Sequence, residues 1–164
     1  TEFNRDRDDY LLEILIQNTD PQYVMFQMDA GHAAHAGIDV YYFTRKYADR
    51  IKAIHLKEWN KIKGPGKANS MKAPVFHPGV AAADGKKANM PDPEVVKKMM
   101  EERRQMNCAA GQGTVDWNYY AKVVKEAGIE PFFINERPCS YNTPEDRIAC
   151  LKEDFKYYTE KVID

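Results

Sequence analysis

Apolar positions along this chain alternate between helical spacing and short continuous runs. Leu11, Leu12, Ile14 and Leu15 recur at helical spacing behind Asp8 and Asp9, which suit a helix N-terminus, and Asn18 and Pro21 end that helix. Val24 to Met28 is a short run that leads into Asp29-Ala30-Gly31-His32, predicting a buried strand that opens into a polar loop. Asp39 caps a helix through Tyr42, Phe43 and Tyr47. Arg50 to Leu56, apolar at Ile51, Ala53, Ile54 and Leu56, predicts a second strand ending in His55-Leu56-Lys57-Glu58. After Gly111-Gln112-Gly113-Thr114-Val115, Asp116 caps a helix through Tyr120, Val123, Val124 and Ala127, closed by Gly128 just past its end. Phe132, Phe133 and Ile134 form a third strand that runs into Asn135-Glu136-Arg137. Thr143-Pro144-Glu145 opens the last helix, with the stripe Ile148, Leu151, Phe155, Tyr158 and Val162.

The stretch from about residue 60 to 108 breaks the rhythm. Gly64-Pro65-Gly66, Pro74, Pro78, Gly79, Gly85, Pro91 and Pro93 are loop chemistry, and only Asp92-Pro93-Glu94 announces a helix, through Val95, Met99 and Met106. Its apolar content is too low for a core of its own, so residues 1–164 read as a single α/β domain with an insertion at about 60–108. The Met99, Met100 and Met106 stripe reads as packing. Strands alternating with helices imply parallel pairing through right-handed crossovers.

Composition narrows the partners. The chain has 164 residues, with 24 basic and 25 acidic side chains and a net charge of −1, and this balance argues against nucleic acid or an anionic membrane as the main partner. No run approaches the ~20 apolar residues that span a bilayer, and no signal-peptide pattern opens the chain. Cys108, Cys139 and Cys150 are odd in number and widely spaced, which reads as reduced thiols in a cytoplasmic protein. The start at Thr1, without Met, reads as a piece of something longer.

All three strands end in polar clusters: Asp29 with His32, His55 with Lys57, and Glu136 with Arg137. Ligands of parallel α/β structures bind at that edge of the sheet. Asp, His and Glu from neighbouring strand ends make a mixed N/O donor set suited to Mn²⁺, Zn²⁺, Co²⁺ or Mg²⁺. Plainer roles compete: Asp29 as a helix cap, His55 as a satisfied core histidine, and Glu136 with Arg137 as a local ion pair. His32 and His35 are spaced for a helical pair, though His32 facing the pocket with His35 on ordinary surface is the simpler reading; His77 has no companion.

The runs Gln27-Met28-Asp29-Ala30-Gly31-His32, Ala36-Gly37-Ile38-Asp39, Tyr47-Ala48-Asp49-Arg50-Ile51 and Ile54-His55-Leu56-Lys57-Glu58 follow one another as in the sugar phosphate isomerase/epimerase family of xylose-isomerase-like TIM barrels, which this sequence resembles. Val40 stands where that family has Pro, and Glu58 where it has Asp; Gly111-Gln112-Gly113-Thr114-Val115-Asp116 is similar to its Gly-x-Gly-x-Ile-Asp turn. The resemblance covers about residues 1–59 and 109–163. It implies the C-terminal half of a (βα)₈ barrel, strands six to eight, with a long insertion after strand seven and Thr1-Glu2-Phe3 as the tail of strand five. A whole barrel takes about 250 residues.

Carried over, the resemblance implies Asp29, His55 and Glu136 as metal ligands, a fourth ligand falling just before Thr1, and Glu136 and His32 as catalytic groups. His32, Lys57 and Arg137 would bind substrate. Spacing from Gly128 leaves Asn135 as the competitor of Glu136. The chemistry implied is isomerisation or epimerisation of a sugar, sugar phosphate or keto-sugar by proton transfer through an enediolate. Alternatives are a keto-sugar lyase or dehydratase, a C-glycoside-cleaving subunit, and a non-catalytic binding or assembly module. Expected partners are a small carbohydrate, the remaining half of the barrel and further copies of the chain, with no nucleic acid and no membrane. Endonuclease relatives need more His than this chain holds.

Overall fold

The computed structural model describes residues 2–6, 8–62, 64, 92–106, 108–137 and 143–163. Most of the stretch expected to be an insertion, including His77, and also Cys139 lie outside the described residues. The chain opens on a small antiparallel pair, β1 (Arg5–Asp6) with β2 (Asp9–Tyr10). Glu2 and Phe3, expected in a strand, lie in a turn. Phe3 is buried edge-on against Tyr10 and Phe43, at ring distances of 6.2 and 5.7 Å, so an aromatic cluster and not a ladder fixes this end.

Helix α1 (Leu11–Gln17) follows and ends at Asn18. Its buried Glu13 accepts from Lys46 Nζ at 2.8 Å and Tyr47 Oη at 2.7 Å, tying α1 to α3 (Val40–Lys46). Strand β3 (Phe26–Asp29) starts two residues later than the apolar run suggests. The buried Arg50 guanidinium accounts for the delay. It donates to Ile16 O (2.7 Å), Thr19 Oγ1 (2.9 Å) and Val24 O (2.9 Å), and so commits the Val24 carbonyl to a loop. Helix α2 (Ala30–His35) precedes α3, whose first amides are capped by Asp39 Oδ1. Strand β4 is Ile51–Leu56, α4 Pro93–Met106, α5 Trp117–Glu126, β5 Phe132–Asn135 and α6 Pro144–Tyr158. Asp116 caps α5, Gly128 follows it with φ +68°, and a Thr143/Asp146 capping box opens α6.

β3, β4 and β5 form one parallel sheet in that order, with Met28, Ile54 and Phe133 in one row and Asp29, His55 and Ile134 in the next. Side chains alternate faces along a strand. Met28, Ile54 and Leu56 therefore bury against the helices, beside Trp117, Tyr120 and Tyr158. The opposite face carries Gln27, Asp29, Ala53, His55, Phe132 and Ile134, and Phe132 is 79% exposed there.

Two apolar stripes expected to pack do so only in part or not at the residues described: Tyr158 of α6 is in the core, but other members are not. Ile148 and Phe155 of α6 are more than half exposed, because the helix turns Asp154 and Tyr158 inward: Asp154 Oδ1 accepts the Ala110 N–H at 2.9 Å. Met99 and Met100 of α4 are also more than half exposed; among the described residues Asn60 Nδ2 donates to Gln105 O at 3.0 Å and ties α4 to the strand end. Among the described residues no helix is long and apolar enough to cross a membrane.

Candidate functional site

The site forms where the three parallel strands end. Asp29 closes β3 and also caps α2. Its Oδ1 accepts the His32 N–H at 2.8 Å, while Oδ2 faces His55 Nδ1 at 3.1 Å and Lys57 Nζ at 3.9 Å. The capping role and the site role therefore coexist, one on each carboxylate oxygen. His55 projects from β4 with its side chain only 14% exposed, and its other nitrogen, Nε2, lies 2.7 Å from Glu136 Oε2. Lys57, two residues on and on the same face, places Nζ 3.0 Å from Glu136 Oε1. His32, one turn into α2, holds Nε2 3.8 Å from Asp29 Oδ2 and keeps an accessible edge. The structure thus brings together Asp29, His32, His55, Lys57 and Glu136.

Glu136 and not Asn135 enters this group. The Glu136 N–H donates to Leu56 O at 3.1 Å, which continues the ladder one residue past β5. Alternation then puts Glu136 on the face of His55, and Asn135 toward α6, where its Nδ2 donates to Leu151 O at 3.3 Å. The same alternation turns Arg137 away from the site. Its Nη1 meets Glu153 Oε2 at 3.0 Å, Cys150 O at 3.3 Å and Asp154 Oδ1 at 3.4 Å, so it braces α6 where a substrate contact had been expected. Arg137→Ala removes the counter-charge of the buried Asp154 carboxylate. It is expected to lower stability by about 3 kcal/mol in urea unfolding, without altering ligand binding at the strand ends.

Electrostatics favour charge at Asp29. Burial opposes its ionisation, but the His55 hydrogen bond, the His32 side chain and amide, and Lys57 together hold the carboxyl below its ordinary value. Burial pushes His32 down, partly offset by Asp29. The pair therefore favours a carboxylate beside a neutral imidazole.

Sequence reasoning passed over Glu58 and Trp59. Glu58 is buried and accepts the Trp117 Nε1–H at 2.6 Å and the Gly113 N–H. Trp59 is also buried, and its carbonyl accepts the Thr114 N–H at 3.0 Å. The Gly-x-Gly turn thus wraps around the end of β4, and glycine is required at 113 because a Cβ there would collide with the Glu58 carboxylate and lie 2.8 Å from Trp59 O. His35, expected on ordinary surface, is half-buried beside the Trp59 ring, with Nδ1 against Lys61 O. Only the Gly-x-Gly spacing signalled any of this.

Asp29, His55 and Glu136 supply carboxylate, imidazole and carboxylate, the chemistry a divalent cation takes. Both ring nitrogens of His55 are engaged by carboxylates, and among the described residues no three such groups stand in a metal-holding arrangement. Of the two carboxylates, Glu136 is the more open, at 40% against 20% for Asp29.

Residues 10–160 match the family model for the xylose isomerase-like TIM barrel. The chain belongs to that family. Curated relatives of this xylose isomerase-like chain include an inosose dehydratase of Mesomycoplasma hyopneumoniae, 41% identical over 51 residues, which are 31% of this chain and 17% of the relative. Another is an inosose dehydratase of Bacillus cereus, 40% identical over 47 residues, 29% of this chain and 16% of the relative. Among solved structures, a sugar phosphate isomerase/epimerase of Parabacteroides distasonis superposes with a TM-score of 0.59 at 18% identity, covering 97% of this chain and 42% of that one. A second from the same organism gives 0.55 at 16% identity, covering 96% and 37%. These two structures share the fold, and the chain spans less than half their length.

Proposed function

We propose that this chain carries the metal-binding and proton-transfer edge of a sugar isomerase or epimerase. The observation that carries the reading is the convergence of Asp29, His55, Lys57 and Glu136 at the ends of three adjacent parallel strands, with His32 beside them. In this proposal the strands are six to eight of an eight-stranded barrel, and the remaining half supplies the other wall and a further ligand. The exposed Phe132 and Ile134 support this, because they lie on the face a closed barrel fills.

Asp29, His55 and Glu136 would hold the cation, and doing so would require the His55 ring to give up one of the two carboxylate contacts that occupy its nitrogens. When bound, a divalent ion polarises adjacent sugar oxygens and stabilises the negative charge that develops on them. Glu136, held at its other oxygen by Lys57, is the carboxylate placed to take a proton from carbon next to a carbonyl. Lys57 and His32 orient hydroxyl oxygens, and neutral His32 can also relay a proton. The local matches to inosose dehydratases favour one second reading, water elimination, in which the enolate left by that proton transfer would expel a β-hydroxyl that departs as water with the proton taken up by Glu136.

The test is proton exchange in D₂O with the full-length protein, Mn²⁺ and a panel of ketoses and inososes, followed by NMR. The expected result is deuterium wash-in at the carbon beside the carbonyl, abolished by Glu136→Gln. Loss of water without wash-in into recovered substrate selects the dehydratase. No exchange and no elimination across the panel would overturn the enzymatic reading and leave a binding module.

A further inference from the structure

We propose that Trp59 is the positioning residue of this site: its ring sets the His32 imidazole and the Lys57 ammonium against the Asp29 carboxylate. The role given to His32 and Lys57 rests on the function proposed above; the placement rests on geometry alone. Trp59 is 4% exposed, although it lies past the end of β4, where chain is usually open to water. The His32 ring meets it edge-on, 5.6 Å between centroids at 84°. The His35 ring lies 5.2 Å away at 30°. Lys57 Nζ stands 5.6 Å from the Trp59 ring centroid. One indole thus touches two groups of the site that come from different elements, α2 and the end of β4.

The ring is held from behind. Trp59 O is bonded by the Thr114 amide, and the preceding Glu58 is anchored by Gly113 and Trp117. Gly31 lets α2 come close enough: a Cβ there would collide with Lys57 O and lie 3.2 Å from Trp59 Cδ1. Trp59 Nε1 is buried and has no hydrogen-bond partner among the described residues. The contribution of this side chain is therefore its aromatic surface. Edge-to-face contact fixes an imidazole more narrowly than an aliphatic surface does, and a ring face favours a nearby ammonium.

The measurement is the His32 side-chain rotamer, read by NMR couplings and by cross-relaxation between His32 and Trp59 ring protons, with His32→Ala for assignment. In the wild type we expect one rotamer and direct His32–Trp59 contacts. Trp59→Leu should leave His32 averaging between rotamers while His55 signals stay in place, and Trp59→Phe should restore a single rotamer. Where the proposed turnover is present, Trp59→Leu should reduce kcat about a hundredfold with metal affinity unchanged, as expected for misplacement of about 1 Å, and Trp59→Phe should recover most of it. An averaging His32 in the wild type, or a single His32 rotamer in Trp59→Leu, overturns the proposal. If the leucine variant does not fold, Trp59→Met, which lacks the ring but keeps a long side chain, takes its place. Absence of turnover in the wild type counts against the proposed function alone, because the rotamer measurement needs no substrate.

Discussion

Asp29→Asn and His55→Ala are each expected to weaken Mn²⁺ binding by at least about 100-fold while the fold persists, a loss no smaller than that seen when supporting residues around a metal are removed. Asparagine keeps an oxygen to accept the His32 amide, so the α2 cap survives, while the charge facing His55 and Lys57 disappears. His55 stands at the end of β4 on the face away from the helices, so its removal opens no hole beneath Ile54 and Leu56. Titration calorimetry with Mn²⁺, alongside far-UV circular dichroism, separates the two effects. An unchanged affinity in both variants would remove these residues from the ligand set. Loss of helical signal would instead mean that the cluster is part of the fold.

Glu58 controls the second large effect. Burial pushes its carboxyl up to about 7, against the donors from Trp117, Gly113 and Val115 that favour the charged form. The folded carboxyl holds its proton more tightly than the unfolded one, whose value is 4.5. Its contribution to stability is therefore full below about pH 4.5, falls as pH rises toward 7, and levels off above that. The span is about 3 kcal/mol for a shift of this size. Glu58→Gln carries no such titration. The stability difference between wild type and variant should therefore move against the wild type by about that amount between pH 4.5 and 7.5. Urea unfolding at the two ends measures it, and a constant difference would show that Glu58 ionises normally. Asp29 and Glu13, both held below their ordinary values, act with the opposite sign at the acid end, so the comparison is made between the two proteins and not along one curve. Glu58→Ala is the harsher change, because it strands the Trp117 indole N–H and the Gly113 amide, at about 1–3 kcal/mol for each buried donor.

Much of this molecule is decided over a few residues and was readable there. Asp39, Asp116 and Thr143 cap their helices, and Gly128 ends one, because a cap satisfies amides or carbonyls within one turn of itself. The alternation of helix and strand needs only periodicity, and parallel pairing follows from the crossovers. The placing of Asp29, His55 and Glu136 at strand ends was legible for the same reason.

The rest depends on partners far along the chain. Whether Asn135 or Glu136 faces His55 turns on a single residue of register, and the amide bond to Leu56 O decides it. The pleat then sends Arg137 to Glu153 and Asp154. The inward face of α6 follows from Asp154 meeting the Ala110 amide, which leaves Ile148 and Phe155 outside. Glu58 closed the motif at the end of the second strand and Trp59 carried no signal of its own; their burial follows from the 111–116 turn closing over them. Local propensity and capping are properties of neighbours in sequence, so the sequence by itself determined the elements and the residue types at their ends. Register, side-chain facing and the burial of polar groups are set by contacts between distant segments, and only the tertiary structure decided those.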